Sequence, residues 1–215
     1  MSTPSASTAA QALVFADADQ GEELQRAEMY GLLARLWFTP ADEALLAQFK
    51  VAVTAAPVAG SFLEAPWQDL VAAMRALSAG EAAAQHTKLF VGAGKAEVLP
   101  YASFHLTGAL NDRPLVALRT DLAALGLASA APEGETEDHV AFIFEVMRYL
   151  IAGDDVAVCN LEQQRRFFRA HVQPWVANAL CDAVEQHAAA RMHAALARFT
   201  RAFVEVEAQA FDLIE

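Results

Sequence analysis

A chain of 215 residues with 55% hydrophobic side chains and a formal net charge of −12 can bury one sizeable core. Its 27 acids against 15 Lys and Arg repel phosphate backbones and anionic lipid heads, which makes nucleic acid and membrane surfaces poor candidate partners and favours a basic peptide or a positively charged protein patch. The two cysteines, Cys159 and Cys181, match no metal-ligand spacing and read as free buried thiols, consistent with a reducing compartment.

Residues 1–19 contain Ser, Thr, Ala and acids, with no Lys or Arg before Arg26, and read as a disordered leader. They lack the basic start and apolar stretch of a secretory signal. No apolar run approaches the ~18–20 residues of a membrane span, so the expected location is the cytoplasm. From residue 20 to 215 the expectation is one all-helical domain. Leu24, Ala27, Tyr30, Gly31, Ala34, Trp37 and Phe38 follow the 3.6-residue period of a first helix, which Thr39-Pro40 stops. Asp42 is placed to cap a second helix carrying Leu45, Leu46 and Phe49. Pro57 and Gly60 break the pattern. A third helix is predicted over 64–77 and a fourth over 81–90, ended by Gly92.

Residues 92–100 read as a loop, followed by short helices over 103–107 and 114–125, with Gly126 as a stop. Residues 127–136 form a second, acidic loop. A long apolar helix is predicted over 137–152, ended by Gly153, and further helices over 155–171, 174–189 and 191–210. Alternating β-branched runs and Asn-Gly or Asp-Gly hairpin signals are absent, so the fold class is all-α, with about ten helices in one globule.

Between Glu133 and Asp155 stand seven acids (Glu133, Glu135, Glu137, Asp138, Glu145, Asp154, Asp155) and one base, Arg148. On a helix spanning 137–152, Asp138 and Glu145 would share a face two turns apart, roughly 10 Å. Carboxylates suit guanidinium because two oxygens accept its planar fork, which Lys cannot match, so this segment is a candidate receptor for paired arginines. The competing reading is structural: Thr136 as an N-cap, with Glu137 and Asp138 offsetting the helix dipole in the first turn.

The loop Val91-Gly-Ala-Gly-Lys95 fails the phosphate-binding pattern, because its glycine spacing is wrong and Ala96 replaces the Ser or Thr that would hold Mg²⁺. The six histidines form no His-x-x-x-His pair and no Glu-x-x-His, and no Gly-x-Ser-x-Gly elbow occurs, so no metal site and no catalytic residue is expected. Phe167, Phe168, His171, Pro174 and Trp175 fall where one helix ends and the next starts, with Trp175 expected to pack on the preceding helix.

Four stretches together resemble the TorD/DmsD family of redox-enzyme maturation chaperones, related to the NarJ-type assembly factors. Lys88-Leu-Phe-Val-Gly-Ala-Gly94 is similar to its Leu-Phe-hydrophobic-Gly-Pro-Gly turn, with Ala93 where Pro is common. Pro100-Tyr-Ala-Ser103 is similar to its Pro-Tyr-x-Ser. Glu135-Thr-Glu-Asp138-His139 resembles its acidic Asp-His signature, with Glu137 where Pro often stands. Phe168-x-x-His171-x-x-Pro174-Trp175 resembles its Phe-x-x-His-x-x-x-Trp segment.

The resemblance covers about 20 to 210. It implies an all-helical chaperone, not an enzyme, that binds the twin-arginine signal peptide or the body of a molybdoenzyme before export, as a monomer or a domain-swapped dimer. It also implies weak guanine-nucleotide binding in some members; no other cofactor is expected. Glu135, Asp138 and His139 match its signature, and Tyr101, Ser103, His171 and Trp175 match positions lining or supporting the groove. With Glu145 added as a further acid, these are the candidate peptide-binding residues. Two alternatives stay open: an assembly factor gripping the body of an enzyme subunit without recognising its leader, and a GTP-dependent switch using residues 92–96.

Overall fold

Seventeen residues from Glu22 to Phe38 form α1, which runs antiparallel to α7 (Val140–Ala152): Phe38 meets Phe142 at 5.1 Å between ring centroids, while Gly31, at the middle of α1, faces the Arg148 side chain. The computed structural model describes residues 21–51, 61–92, 95–128, 132 and 134–213. The expected leader, Pro57 and Gly60, Ala93 and Gly94, and Glu133 lie outside the described residues.

The intervening elements are α2 (Glu43–Val51), α3 (Glu64–Arg75), α4 (Ala79–His86), α5 (Ala102–Thr107) and α6 (Arg113–Ala124). After α7 come α8 (Leu161–Phe167), α9 (Cys181–Glu185) and α10 (Arg191–Asp212). Three turns are π-helical: Thr87–Val91 continues α4, Phe168–Val172 continues α8, and Val176–Leu180 leads into α9. Among the described residues no strand occurs, as the missing β-pattern led one to expect, apart from an isolated bridge between Tyr101 and His139.

Local chemistry explains most helix starts. Asp42 accepts the Leu45 amide at 2.8 Å, as expected. Ser78 and Glu81 form a capping box on α4, and Asn160 accepts the Gln163 amide at 3.1 Å to start α8. Gly92 ends the first π turn at a φ of 69°, where a Cβ would fall 1.9 Å from the Lys95 carbonyl oxygen, so only glycine fits.

The core is built on α1, α7 and α10. Tyr30, Leu33, Trp37, Phe144, Met147 and Phe199 are all buried in it. Trp37 Nε1 donates to Thr200 Oγ1 at 3.0 Å, and Trp67 of α3 packs on Phe199 at 5.3 Å. At the margin of this core the partly exposed Arg26 forks onto the buried Glu207, with Nε–Oε1 and Nη2–Oε2 distances of 2.8 and 2.7 Å; it also pairs with Glu23 at 2.8 Å, and Tyr30 donates to the Glu207 carboxylate at 3.0 Å. Burial alone would favour the neutral guanidine, but the hydrogen bonds and charge of Glu207 hold Arg26 protonated.

Several boundaries differ from expectation. α7 begins at Val140 rather than 137, because residues 137–139 are drawn into a turn and a bridge to the chain before α5. Thr136 therefore does not cap α7; the His139 ring does, accepting the Ala141 amide at 3.1 Å. Residues 153–160 form turns ahead of α8, in place of the first part of the helix expected over 155–171. The helix expected over 174–189 is a π turn followed by the five-residue α9.

Candidate functional site

The signature residues meet where the chain before α7 crosses the start of α5. The Ala102 amide donates to the Asp138 carbonyl and the Val140 amide to the Pro100 carbonyl, each at 2.9 Å. This two-rung bridge lays Glu135–His139 across Pro100–Ser103. The Asp138 side chain, 1% exposed, then accepts twice: Oδ2 from the Ser103 amide at 2.9 Å and Oδ1 from the Thr136 hydroxyl at 2.6 Å. The Tyr101 hydroxyl donates to Glu135, and burial together with that carboxylate pushes the phenol well above its ordinary range. Ser103 is fully buried, and its own hydroxyl finds no partner among the described residues.

His139 sits inside a ring of aromatics, 5.5 Å from Phe38, 5.1 Å from Tyr101 and 5.6 Å from Phe142. Since Nδ1 accepts the Ala141 amide, the neutral ring carries its proton on Nε2. Burial pushes its pKa down to about 4, against the opposing pull of Asp138, so the ring is neutral at pH 7.

The structure brings Tyr101, Ser103, Glu135, Asp138 and His139 together, but not as an open acidic groove. Asp138 is buried and does not share a helical face with Glu145, since it lies ahead of the helix. Glu145 projects from α7 and pairs with Arg148 at 2.7 Å. Glu137 pairs with Arg119 at 2.8 Å. Trp175 is fully buried and offers no groove floor; its Nε1 donates to the His171 carbonyl at 2.7 Å, the packing on the preceding helix that was expected.

His171 Nε2 lies 2.8 Å from Asp121 Oδ2 on α6, and Arg166 reaches the other oxygen at 3.2 Å. Burial lowers the His171 pKa in spite of Asp121, so the neutral ring donates to the carboxylate.

Sequence reasoning missed His105, which stacks on Trp175 at 5.4 Å and ties α5 to the π turns below it. It also missed Asp121 and Arg119, which bind α6 to the His171 segment and to the signature loop. Their only sequence signal is the α6 period, which sets Leu115, Leu118 and Leu122 inward, with Arg119 outward and Asp121 at the margin.

No group of three or more His, Cys, Asp or Glu among the described residues could hold a metal ion, and no described helix is long and apolar enough to cross a membrane. Cys159 and Cys181 are both free, and burial pushes the Cys181 thiol far up. At the glycine loop, the Gly92 amide already donates to the Thr87 carbonyl at 2.7 Å, and the Leu89 carbonyl accepts from Glu97 and Val98 at 2.9 Å each. The turn closes on itself rather than aiming that amide outward.

The family model described as the nitrate reductase delta subunit matches residues 60–181, a stretch that contains the whole α5–α7 assembly. The solved structure of a protein from Archaeoglobus fulgidus assigned to redox enzyme maturation superposes with a TM-score of 0.53 at 17% identity, covering 84% of this chain and 93% of that one. That likeness concerns the fold. No curated protein matches the chain.

Proposed function

Because the chain belongs to the nitrate reductase delta subunit family, we propose that it is a maturation chaperone for a molybdenum-cofactor oxidoreductase, holding the catalytic subunit by its twin-arginine leader until the cofactor is in place and so blocking premature export. The observation that carries the reading is the family match, which spans more than half of the chain. The acidic surface supports it, since a net charge of −12 attracts a basic leader. No bond need be made or broken: occupancy alone keeps the leader from the export machinery. Glu135 and Glu145 are the signature-region acids placed to exchange their present partners, the Tyr101 hydroxyl and Arg148, for a client guanidinium.

The experiment is a titration of the protein with a synthetic twin-arginine leader and its Lys-Lys version at two salt concentrations. Arg-selective binding that weakens with salt is the expected result. A second reading has a specific ground: the family is described by a nitrate reductase subunit, which favours a grip on the body of a cytoplasmic enzyme with no interest in leaders. Capture of the apo-subunit with its leader deleted, and no binding of any leader, would establish that reading instead.

A further inference from the structure

The Leu89-Phe90-Val91-Gly92 stretch closes an arm made of α4 and the π turn after it, eight and five residues long. The Ser78–Glu81 capping box starts the arm, and the tight turn at Gly92 ends it. Its hold on the rest of the fold is shallow: only Ala82, His86 and Leu89 are buried, with Phe90 partly so. The arm lies on the start of α10. Gln85 Oε1 accepts the Met192 amide at 3.2 Å, the His86 and His193 rings stand 6.0 Å apart, and Phe90 meets each of them edge-on at 5.1 Å.

This seam leaves polar groups unsatisfied. His193 is fully buried with both ring nitrogens unpartnered among the described residues, and so is the buried Nε2 of His86. Water would satisfy all three, and raising the arm admits it. A proton on either ring finds no counter-ion in place. From α1 the Phe38 carbonyl reaches His86, and Trp37 packs behind Phe90. From the chain ahead of α7 comes His139, whose neighbour Asp138 is already bound to the Ser103 amide and the Thr136 hydroxyl. On α10 the charge nearest His193 in sequence is the exposed Arg191, which also disfavours a proton. On the arm, Glu81 is bound to Ser78 and Lys88 is exposed; past the turn, Glu97 pairs with His187.

We infer that α4 with its π turn is an acid-sensitive flap, closed over His193 at neutral pH and lifted off the start of α10 when His86 or His193 takes a proton. The flap works without a client, so it does not depend on the chaperone reading. Burial pushes His193 down to about 3 and lowers His86, so the closed flap refuses a proton that the open one accepts. With a water-exposed value near ~6.5, His193 alone multiplies the open population about 25-fold between pH 7 and 5. The Glu97–His187 pair, outside the moving segment, keeps the far end of the turn in place. Opening uncovers Phe90 and the Trp37 ring it packs on, so acid exposes an apolar surface.

Hydrogen exchange read by mass spectrometry on the full chain tests this, with rates corrected for the intrinsic effect of pH. Between pH 7 and 5 the amides of α4 and its π turn should open at least tenfold more often, while those of α1 and α7 stay as protected as before. No rise in α4 overturns the flap. An equal rise in α1 and α7 overturns it too, because acid would then be loosening the whole globule. His86→Phe with His193→Phe removes both titrating rings and should leave α4 opening flat with pH. If that variant does not fold, His86→Gln and His193→Gln, taken singly, should each lessen the rise. A rise undiminished in these variants would deny the imidazoles the trigger and overturn the inference.

Discussion

Asp138 Oδ2 accepts the Ser103 amide at 2.9 Å, so the cap of α5 comes from a residue 35 positions further along the chain. Tyr101 stands at the N-cap position of that helix and makes no side-chain cap bond there, its hydroxyl being turned to Glu135. Replacing Asp138 by Ala leaves a buried amide and the Thr136 hydroxyl without their acceptor. A loss of about 1–3 kcal/mol is expected, read from urea unfolding. Thr136→Val, which removes only the donor, should lose about 1 kcal/mol.

Acid should weaken the fold through buried imidazoles. His193 is fully buried with neither ring nitrogen hydrogen-bonded among the described residues, and it lies 6.0 Å from His86. Burial pushes its pKa down to about 3, and that of His139 down to about 4. In the unfolded chain both titrate near ~6.5, so below that pH the unfolded state binds protons that the folded state refuses. The stability these rings contribute is complete above pH ~6.5 and is lost as pH falls toward their folded values. Urea midpoints should be flat from pH 8 to 7 and fall from pH 6 to 5, with a shallower fall in His193→Phe. An equally steep fall in that variant would assign the acid sensitivity to other groups.

Gly92→Ala should be costly. The position combines a φ of 69° with a Cβ that would lie 1.9 Å from the Lys95 carbonyl oxygen, a backbone atom that cannot swing aside. The left-handed conformation alone costs on the order of 1–3 kcal/mol, and the turn must also open. Thermal unfolding should show a lower midpoint for Gly92→Ala, whereas Gly80→Ala, with open space around its Cβ position, should be neutral or slightly stabilising.

Glu207→Gln removes the charge from the fork on Arg26, which keeps its pairing with Glu23 at 2.8 Å, and a loss of about 1–3 kcal/mol is expected from the weakened charge-assisted hydrogen bonds. Arg26→Met combined with Glu207→Leu and Tyr30→Phe should recover most of it, because the charges and the Tyr30 hydroxyl that Glu207 accepts from are then all replaced by apolar groups. Equal losses in the single and triple variants would contradict this account.

The helices were legible where one side faces the core. α1 and α10 repeat their buried residues at helical spacing, and Asp42 announces α2 by the position of its carboxylate. The start of α7 was not, because Thr136-Glu137-Asp138 has the composition of a helix start, while a partner distant in sequence, Pro100–Ser103, claims those groups. The π turns were invisible for a similar reason: over five residues, a widened turn and an ordinary one repeat apolar side chains at nearly the same spacing. At the candidate site, the order of the motifs brought Tyr101, Ser103, Asp138 and His139 onto one list. It could not tell that Asp138 and Trp175 are buried, because exposure is set by what packs above a residue, and His105 reaches Trp175 across 70 positions.

The fork of Arg26 on Glu207 also bears on how the chain avoids wrong answers while folding. Sliding α1 by a single turn along α10 moves the guanidinium about 5.4 Å, out of reach of both carboxylate oxygens. The same slip would part Trp37 Nε1 from Thr200 Oγ1, the other polar contact named between these two helices. A misaligned globule would also leave the buried Glu207 carboxylate without its guanidinium, while Arg26 kept only Glu23 of its own helix, so this pair works like the notch of a key. It adds little to the native state over a greasy substitute, but it raises the energy of near-native mistakes, widening the gap on which a unique fold depends.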